Sequence, residues 1–406
     1  MFFLSAGIFA ESKSFYSNAS KETQALIKKA DGLVAKGQYC SALSCFENIP
    51  DNEYTIYKKN EILIENYIQT EDFVKFYLKD LKKGETLDEL RVNCTQELTA
   101  YDFDVEKIII EYESNNGSSF VLNLALANYY YSFLSCYGSY LGDYAEDLTE
   151  AIYENYVSAF ENGCFDNKSL YYYGCFLTEN KRYADAEKVF ASLTELDKKN
   201  ESVWYGYAVA LYYQGKFETA ADSVKTSINL SSNSKDNAYI LNKNVLLADI
   251  YFNDGKYSEA ENVLIKAMKK YPQSEYLLPF LGEIYLLQGK TENAGNAFNQ
   301  YIENFHQSDD VLGTIVNVCR YNSYDDFLIE LLEENCEKFS DDFYFSAACY
   351  ETLHFIYMEK HDFNKAEYAL NKSEEFYLKV PDIQGVEEFF SELRSNFQQT
   401  VESASE

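Results

Sequence analysis

Any catalysis in this chain of 406 residues would have to come from few groups. Its imidazoles are three, His306, His354 and His361. His354 and His361 stand about two helical turns apart, too far to share one metal without a third ligand between them. Glu351 precedes His354 by three positions, a spacing that puts two side chains on one helix face, but such a pair alone holds no ion. HExxH, GxSxG and glycine-rich phosphate loops do not occur. The cysteines at 40, 45, 94, 136, 164, 175, 319, 336 and 349 are odd in number and contain no CxxC pair. They read as small buried filler and not as a disulfide framework. Carboxylates are too abundant for any pair on one face to carry meaning. The expectation is a protein that is not an enzyme and needs no metal or cofactor.

Charge narrows the partners. Asp and Glu number 66 against 35 Lys and Arg, a net charge of −31. Such a field repels nucleic acid and anionic lipid heads. The acids are spread along the chain, as a solvated surface would place them. No stretch is long and apolar enough to span a bilayer. The first ten residues, MFFLSAGIFA, are apolar and are followed by polar ESKS. They resemble the apolar core of an export signal that lacks its basic start, with Ala10 as the cleavage residue. Export to the periplasm or beyond is expected, and a cytoplasmic location if the strip is not a signal remnant.

The elements that would position any site are helices. Proline is scarce at 4 and glycine modest at 17, which disfavours a chain of short strands and frequent turns. One phrase recurs: QGKFETA at 214–220, DGKYSEA at 254–260, QGKTENA at 288–294, KGQYCSA at 36–42, and ENKRYADA at 179–186 with Lys181 in the glycine place. The glycine ends one helix, where a left-handed residue costs glycine least. The aromatic after it opens the next helix, and the alanine three residues on marks a close approach of two helices. Gly255 and Gly289 lie 34 residues apart. The unit is therefore a helical hairpin repeated every 34 residues.

This pattern resembles the tetratricopeptide repeat. From Glu201, the first-helix core is Trp204, Tyr207, Ala208 and Leu211, followed by Gly215, Phe217 and Ala220. Units from Asn167, Leu241 and Glu275 repeat it, and Pro272 falls where the family places its proline. The resemblance implies an all-α fold, a right-handed solenoid of helical hairpins. The expected layout is a signal-like or flexible N-terminus at 1–22 and two repeat-like units at 23–90. An irregular helical segment follows at 91–166, with helices near 104–113, 119–137 and 143–161. Four repeats fill 167–308, with an insertion at 235–240. Two degenerate repeats at 309–380, with His361 in the glycine place, precede a capping helix and tail at 381–406.

In this family the concave face is lined by first helices, at unit positions 2, 5, 9, 12 and 13. The resemblance therefore implies a groove containing Tyr171, Tyr205, Tyr212, Tyr213, Asp249, Phe252, Tyr276 and Glu283, with Leu286 and Leu287 beside them. The lysines of the family's carboxylate clamp are missing, so recognition of a chaperone tail is not expected. Aromatics with a few acids suit an apolar or basic segment of another protein. The expected function is a non-enzymatic scaffold for protein–protein interaction in the cell envelope, with homo-oligomers possible. The alternative is an accessory protein that closes round a small apolar ligand and serves a transporter or envelope assembly.

Overall fold

The glycine phrase adopts the conformation its spacing predicts. Gly37, Gly215, Gly255 and Gly289 all have φ of +71°. A side chain at Gly215, Gly255 or Gly289 would meet open space, so backbone conformation alone asks for glycine there. Lys181, Ser323 and His361 hold the same left-handed turn, at +58°, +62° and +57°, although an L-residue there costs about 1–2 kcal/mol.

The computed structural model describes residues 15–231, 237–272, 274–308 and 310–405. The apolar opening, the candidate export signal, lies outside them. The chain divides into two compact units, Met1–Leu230 and Ser231–Glu406. The first contains α1 (Lys21–Val34), α2 (Tyr39–Leu43), α3 (Glu53–Asn66), β1 (Gln69–Glu71), β2 (Lys75–Leu78), α4 (Leu87–Val92), β3 (Thr99–Asp102), α5 (Val105–Asn116), α6 (Phe120–Tyr137), α7 (Tyr144–Glu161), α8 (Asn167–Glu179), α9 (Tyr183–Leu196), α10 (Glu201–Tyr212) and α11 (Phe217–Leu230). The second contains α12 (Asn237–Asn253), α13 (Tyr257–Lys270), α14 (Leu277–Leu287), α15 (Thr291–Phe305), α16 (Asp310–Tyr321), α17 (Asp325–Lys338), α18 (Phe343–Glu359), α19 (Phe363–Tyr377) and α20 (Val386–Ser405).

Helix pairs build both units. In α8/α9, α10/α11, α12/α13 and α14/α15 the phrase alanines Ala186, Ala220, Ala260 and Ala294 are fully buried. Volume is matched within each pair. Where the eighth position is glycine, the second helix supplies phenylalanine: Gly174 with Phe190, Gly282 with Phe298. A Cβ at Gly174 would lie 2.7 Å from the Phe190 ring, and one at Gly282 would lie 2.6 Å from the Phe298 ring. Where the eighth position is alanine the partner is smaller: Ala208 with Val224, Ala248 with Leu264, all buried. Side chains thus fill constant space in two different ways. Four residues of the expected insertion, 237–240, lengthen α12 at its start.

Two expectations need correction. Residues 57–90 do not form a second helical hairpin. After α3 the chain makes an antiparallel sheet, ordered β1-β2-β3, with Phe76 opposite Thr70 and Tyr101. The FVKFYL run favours strand, and Asp72 and Phe73 turn the hairpin with positive φ. Phe73 and Phe76 are fully buried, 5.3 Å apart between ring centroids, and Tyr129 and Phe133 of α6 lie 5.4 and 5.7 Å from Phe73. An aromatic cluster thus takes the place of a second helix. Residues 91–166 are less irregular than expected, because α6 and α7 pair as a hairpin and α5 runs through to Asn116. Only the glycine phrase is missing from their connection. The capping helix is present as α20, but Phe389 is exposed while Phe390 is fully buried. Phe397 reaches His354 and Phe363, and Arg394 pairs with Glu374 of α19.

Candidate functional site

The family-based stripe of first-helix residues is distributed over both units, and each half is described alone. In the first unit, Tyr171 is half-buried, its ring 6.1 Å from Phe190 and 6.3 Å from Tyr172. It therefore helps to wall the repeat packing. Tyr205 is half-buried on α10. Tyr212 and Tyr213 meet at 5.1 Å, and Tyr213, 58% exposed, stacks on Tyr183 at 4.7 Å with planes 13° apart. Stacking of this kind holds an exposed aromatic at low entropy cost, which suits a contact residue.

In the second unit, Phe252 is half-buried between Tyr257 and Phe280, at 5.7 and 5.4 Å. Tyr276, 76% exposed, precedes the first turn of α14. Asp249 accepts from Asn253 Nδ2 at 3.0 Å. Glu283 is half-buried and accepts from Asn322 Nδ2 at 3.1 Å. Burial first, and then the Asp249 charge, raise its pKa above the usual carboxylate range against the Asn322 hydrogen bond. Asp249 and Glu283 therefore form an interacting acidic pair. On α14 the stripe is narrower than expected, because Leu286 is buried core.

Sequence reading missed Asn322, which belongs to a degenerate unit and reaches Glu283 only through the stacking of α16 on α14. It also missed an ion network in the first unit. Lys58 pairs with Asp31 and, at 2.7 Å, with Glu61, while Lys168 joins Glu61 and Glu65, each at 2.7 Å. The Tyr172 hydroxyl donates to Glu65 at 2.7 Å. Burial opposes the Glu61 charge, but Lys58 and Lys168 outweigh it and hold Glu61 below the usual range. Nearby, Tyr57 donates to Asp166, the cap of α8, at 2.7 Å, and Tyr156 donates to Asn128 at 2.8 Å. No local sequence signal announces these pairs, since their members lie up to 109 positions apart.

The remaining chemistry-bearing groups have structural partners. Buried His354 bonds the Ala366 carbonyl through Nδ1 at 2.8 Å, and burial lowers its pKa. Glu351 accepts from Tyr377 at 2.9 Å. All nine cysteines are free thiols; Cys319, Cys336 and Cys349 are buried, but Cys136 is exposed. Trp204 is half-buried and donates to the Lys198 carbonyl at 3.0 Å, at the edge of the core assigned to it. Among the described residues no group of three or more His, Cys, Asp or Glu could hold a metal, and no helix is long and apolar enough to cross a membrane.

Paired helices, left-handed turn residues and volume-matched contacts define a helical-hairpin repeat protein. Residues 177–233 and 245–309 match the tetratricopeptide repeat family model, so the chain contains tetratricopeptide repeats there. A curated relative, the TPR repeat-containing protein MJ1428 of Methanocaldococcus jannaschii, is 26% identical over 197 residues. The match covers 39% of this chain and 35% of that protein, so it spans about a third of the relative's length. Among solved structures, MamA from Desulfovibrio magneticus RS-1 aligns at 16% identity and TM-score 0.38, covering 45% of this chain and 97% of that one. The C-terminal part of a TPR protein from Cytophaga hutchinsonii aligns at 14% and 0.40, covering 68% and 90%.

Proposed function

We propose that the protein is a non-enzymatic scaffold whose first-helix faces hold an apolar or basic segment of another protein. Tetratricopeptide-repeat proteins bind proteins or peptides, and this chain's repeats support the general role. The finer reading rests on one observation: half-buried Glu283, whose carboxylate accepts a hydrogen bond from the Asn322 carboxamide and whose pKa is raised by burial and by the Asp249 charge. A lysine or arginine from a partner would relieve that repulsion and regain the desolvation cost. In the first unit the exposed Tyr213 with Tyr205 and Tyr212 offers an aromatic contact. No lysine stands at positions 5 or 9 of the four units, which argues against a carboxylate clamp.

Cross-linked affinity capture tests this with three baits: the parent chain, Tyr205→Ala/Tyr212→Ala/Tyr213→Ala, and Asp249→Asn/Glu283→Gln. Partners lost from either variant and released from the parent by salt support the reading. Partners kept equally by both variants would sink it. Export to the cell envelope is carried by the apolar opening alone. N-terminal sequencing of the protein from its host checks it; a mature chain starting near Glu11 would support export, and an intact Met1 in a soluble cytoplasmic fraction would refute it.

A further inference from the structure

A cleft of about 420 Å3 lies between α17 and α19 in the second unit, floored by α18. It is within the size range of small-molecule sites, about 300–1,000 Å3. Tyr350 and Tyr357 form its floor and are nearly buried; Tyr368, 57% exposed, forms a wall. The Tyr350 and Tyr368 rings stand at 81° with centroids 6.4 Å apart, two perpendicular faces of a corner. Glu333, Glu334 and Glu337 of α17 line the other side. Three tyrosines and three carboxylates, with no cation in the lining, make a negative and aromatic space. Organic cations are attracted to such a space by ring quadrupoles and by charge.

The chain itself shows that such clefts accept cations. Lys365 Nζ lies 5.0 Å over the Tyr357 ring and 4.0 Å from Glu333, at the edge of this cleft. In the first unit a cleft of about 530 Å3 is bounded by α7, the end of α8 and Arg182. There the guanidinium lies 4.3 Å over the Tyr153 ring, beside Glu146 and Glu150. The first unit thus places its own arginine in the lining of its cleft, whereas no lysine or arginine among the described residues lines the cleft at Tyr350 and Tyr368.

We infer that this corner binds a methylated ammonium group. The choice among cations follows from the lining. A primary ammonium brings three donors that need acceptors. Glu333 already accepts from the Tyr357 hydroxyl at 2.5 Å, and the other carboxylates are at the exposed rim. A methylated ammonium keeps its charge, presents an apolar shell to the rings and asks little of the floor. The site is built from residues outside the proposed protein-binding stripe and does not depend on that reading.

Calorimetric titration of the full chain provides the test, with choline, its uncharged isostere 3,3-dimethylbutanol, and a glycine-flanked trimethyllysine peptide. Choline or the peptide should bind about tenfold tighter than the uncharged isostere. The tighter of the two identifies the source as a free molecule or a side chain. Tyr368→Ala, at an exposed wall position that spares the core, should weaken binding about fivefold; Lys365→Met, which removes the competing cation, should tighten it about twofold. Equal binding of choline and the uncharged isostere, indifference to Tyr368→Ala in a chain with unchanged circular dichroism, or no heat up to about 10 mM would each overturn the assignment.

Discussion

Glu61 and Glu283 are carboxylates drawn out of water on first helices, one in each unit, and they are balanced in opposite ways. Glu61 is held by two lysines of its own chain, Lys58 and Lys168. Glu283 faces Asp249 and receives only an amide hydrogen bond from Asn322. The first carboxylate is completed by folding. The second stays partly desolvated in the field of the Asp249 charge, a cost that protonation or an added cation lowers. The difference lies in the side chains each helix and its packing neighbours supply: Lys58 of the same helix and Lys168 of α8 beside Glu61, Asn322 beside Glu283.

The largest effect should come from breaking the completed network. Lys58→Met leaves Asp31 and Glu61 without their buried cation and should cost about 3–5 kcal/mol in urea unfolding. A loss no greater than that of a surface substitution would show that the network is decorative. Next is the volume match. Gly282→Ala drives a methyl into the Phe298 ring and should cost about 1–3 kcal/mol, and Phe298→Leu in the same chain should restore part of it, as in the natural Ala248–Leu264 pair. Strictly additive losses would mean that the two positions do not share space.

The two glutamates should also separate in pH dependence. An unfolded glutamate titrates near about 4.3. Glu61 is depressed in the fold, so its contribution is present above that pH and is lost as pH falls through its lower folded value. Glu283 is raised, so its contribution is present below that pH and is lost as pH rises through its higher folded value. Glu283→Gln should therefore match or exceed the parent in stability at neutral pH, by no more than about 1 kcal/mol, with the advantage vanishing at acid pH. A variant less stable at neutral pH than at acid pH, relative to the parent, contradicts this assignment. The smallest effect concerns the turns. Lys181→Gly and His361→Gly relieve a left-handed L-residue and should each add about 0.5–1 kcal/mol, whereas Gly255→Ala should remove a similar amount. Thermal melts of the three variants would show either that opposition or a common direction that refutes it.

The sequence by itself determined the repeat. Left-handed turn residues and buried alanines depend on local backbone conformation and on contact within one hairpin, so a phrase of seven residues carries them. This is why even Lys181 and His361, which break the glycine rule, could be placed at their turns. The stripe residues were legible as positions on helices, but not as exposed or buried: Leu286 is buried because its neighbours come from other helices. Residues 67–103 were misread because Phe73 and Phe76 fit a helical register as well as a strand, and only docking on Tyr129 and Phe133 selects between them. Tertiary structure alone decided which carboxylates meet lysines and which meet each other. Ion pairs join residues far apart in the chain, and no local pattern encodes which charges will share a desolvated space.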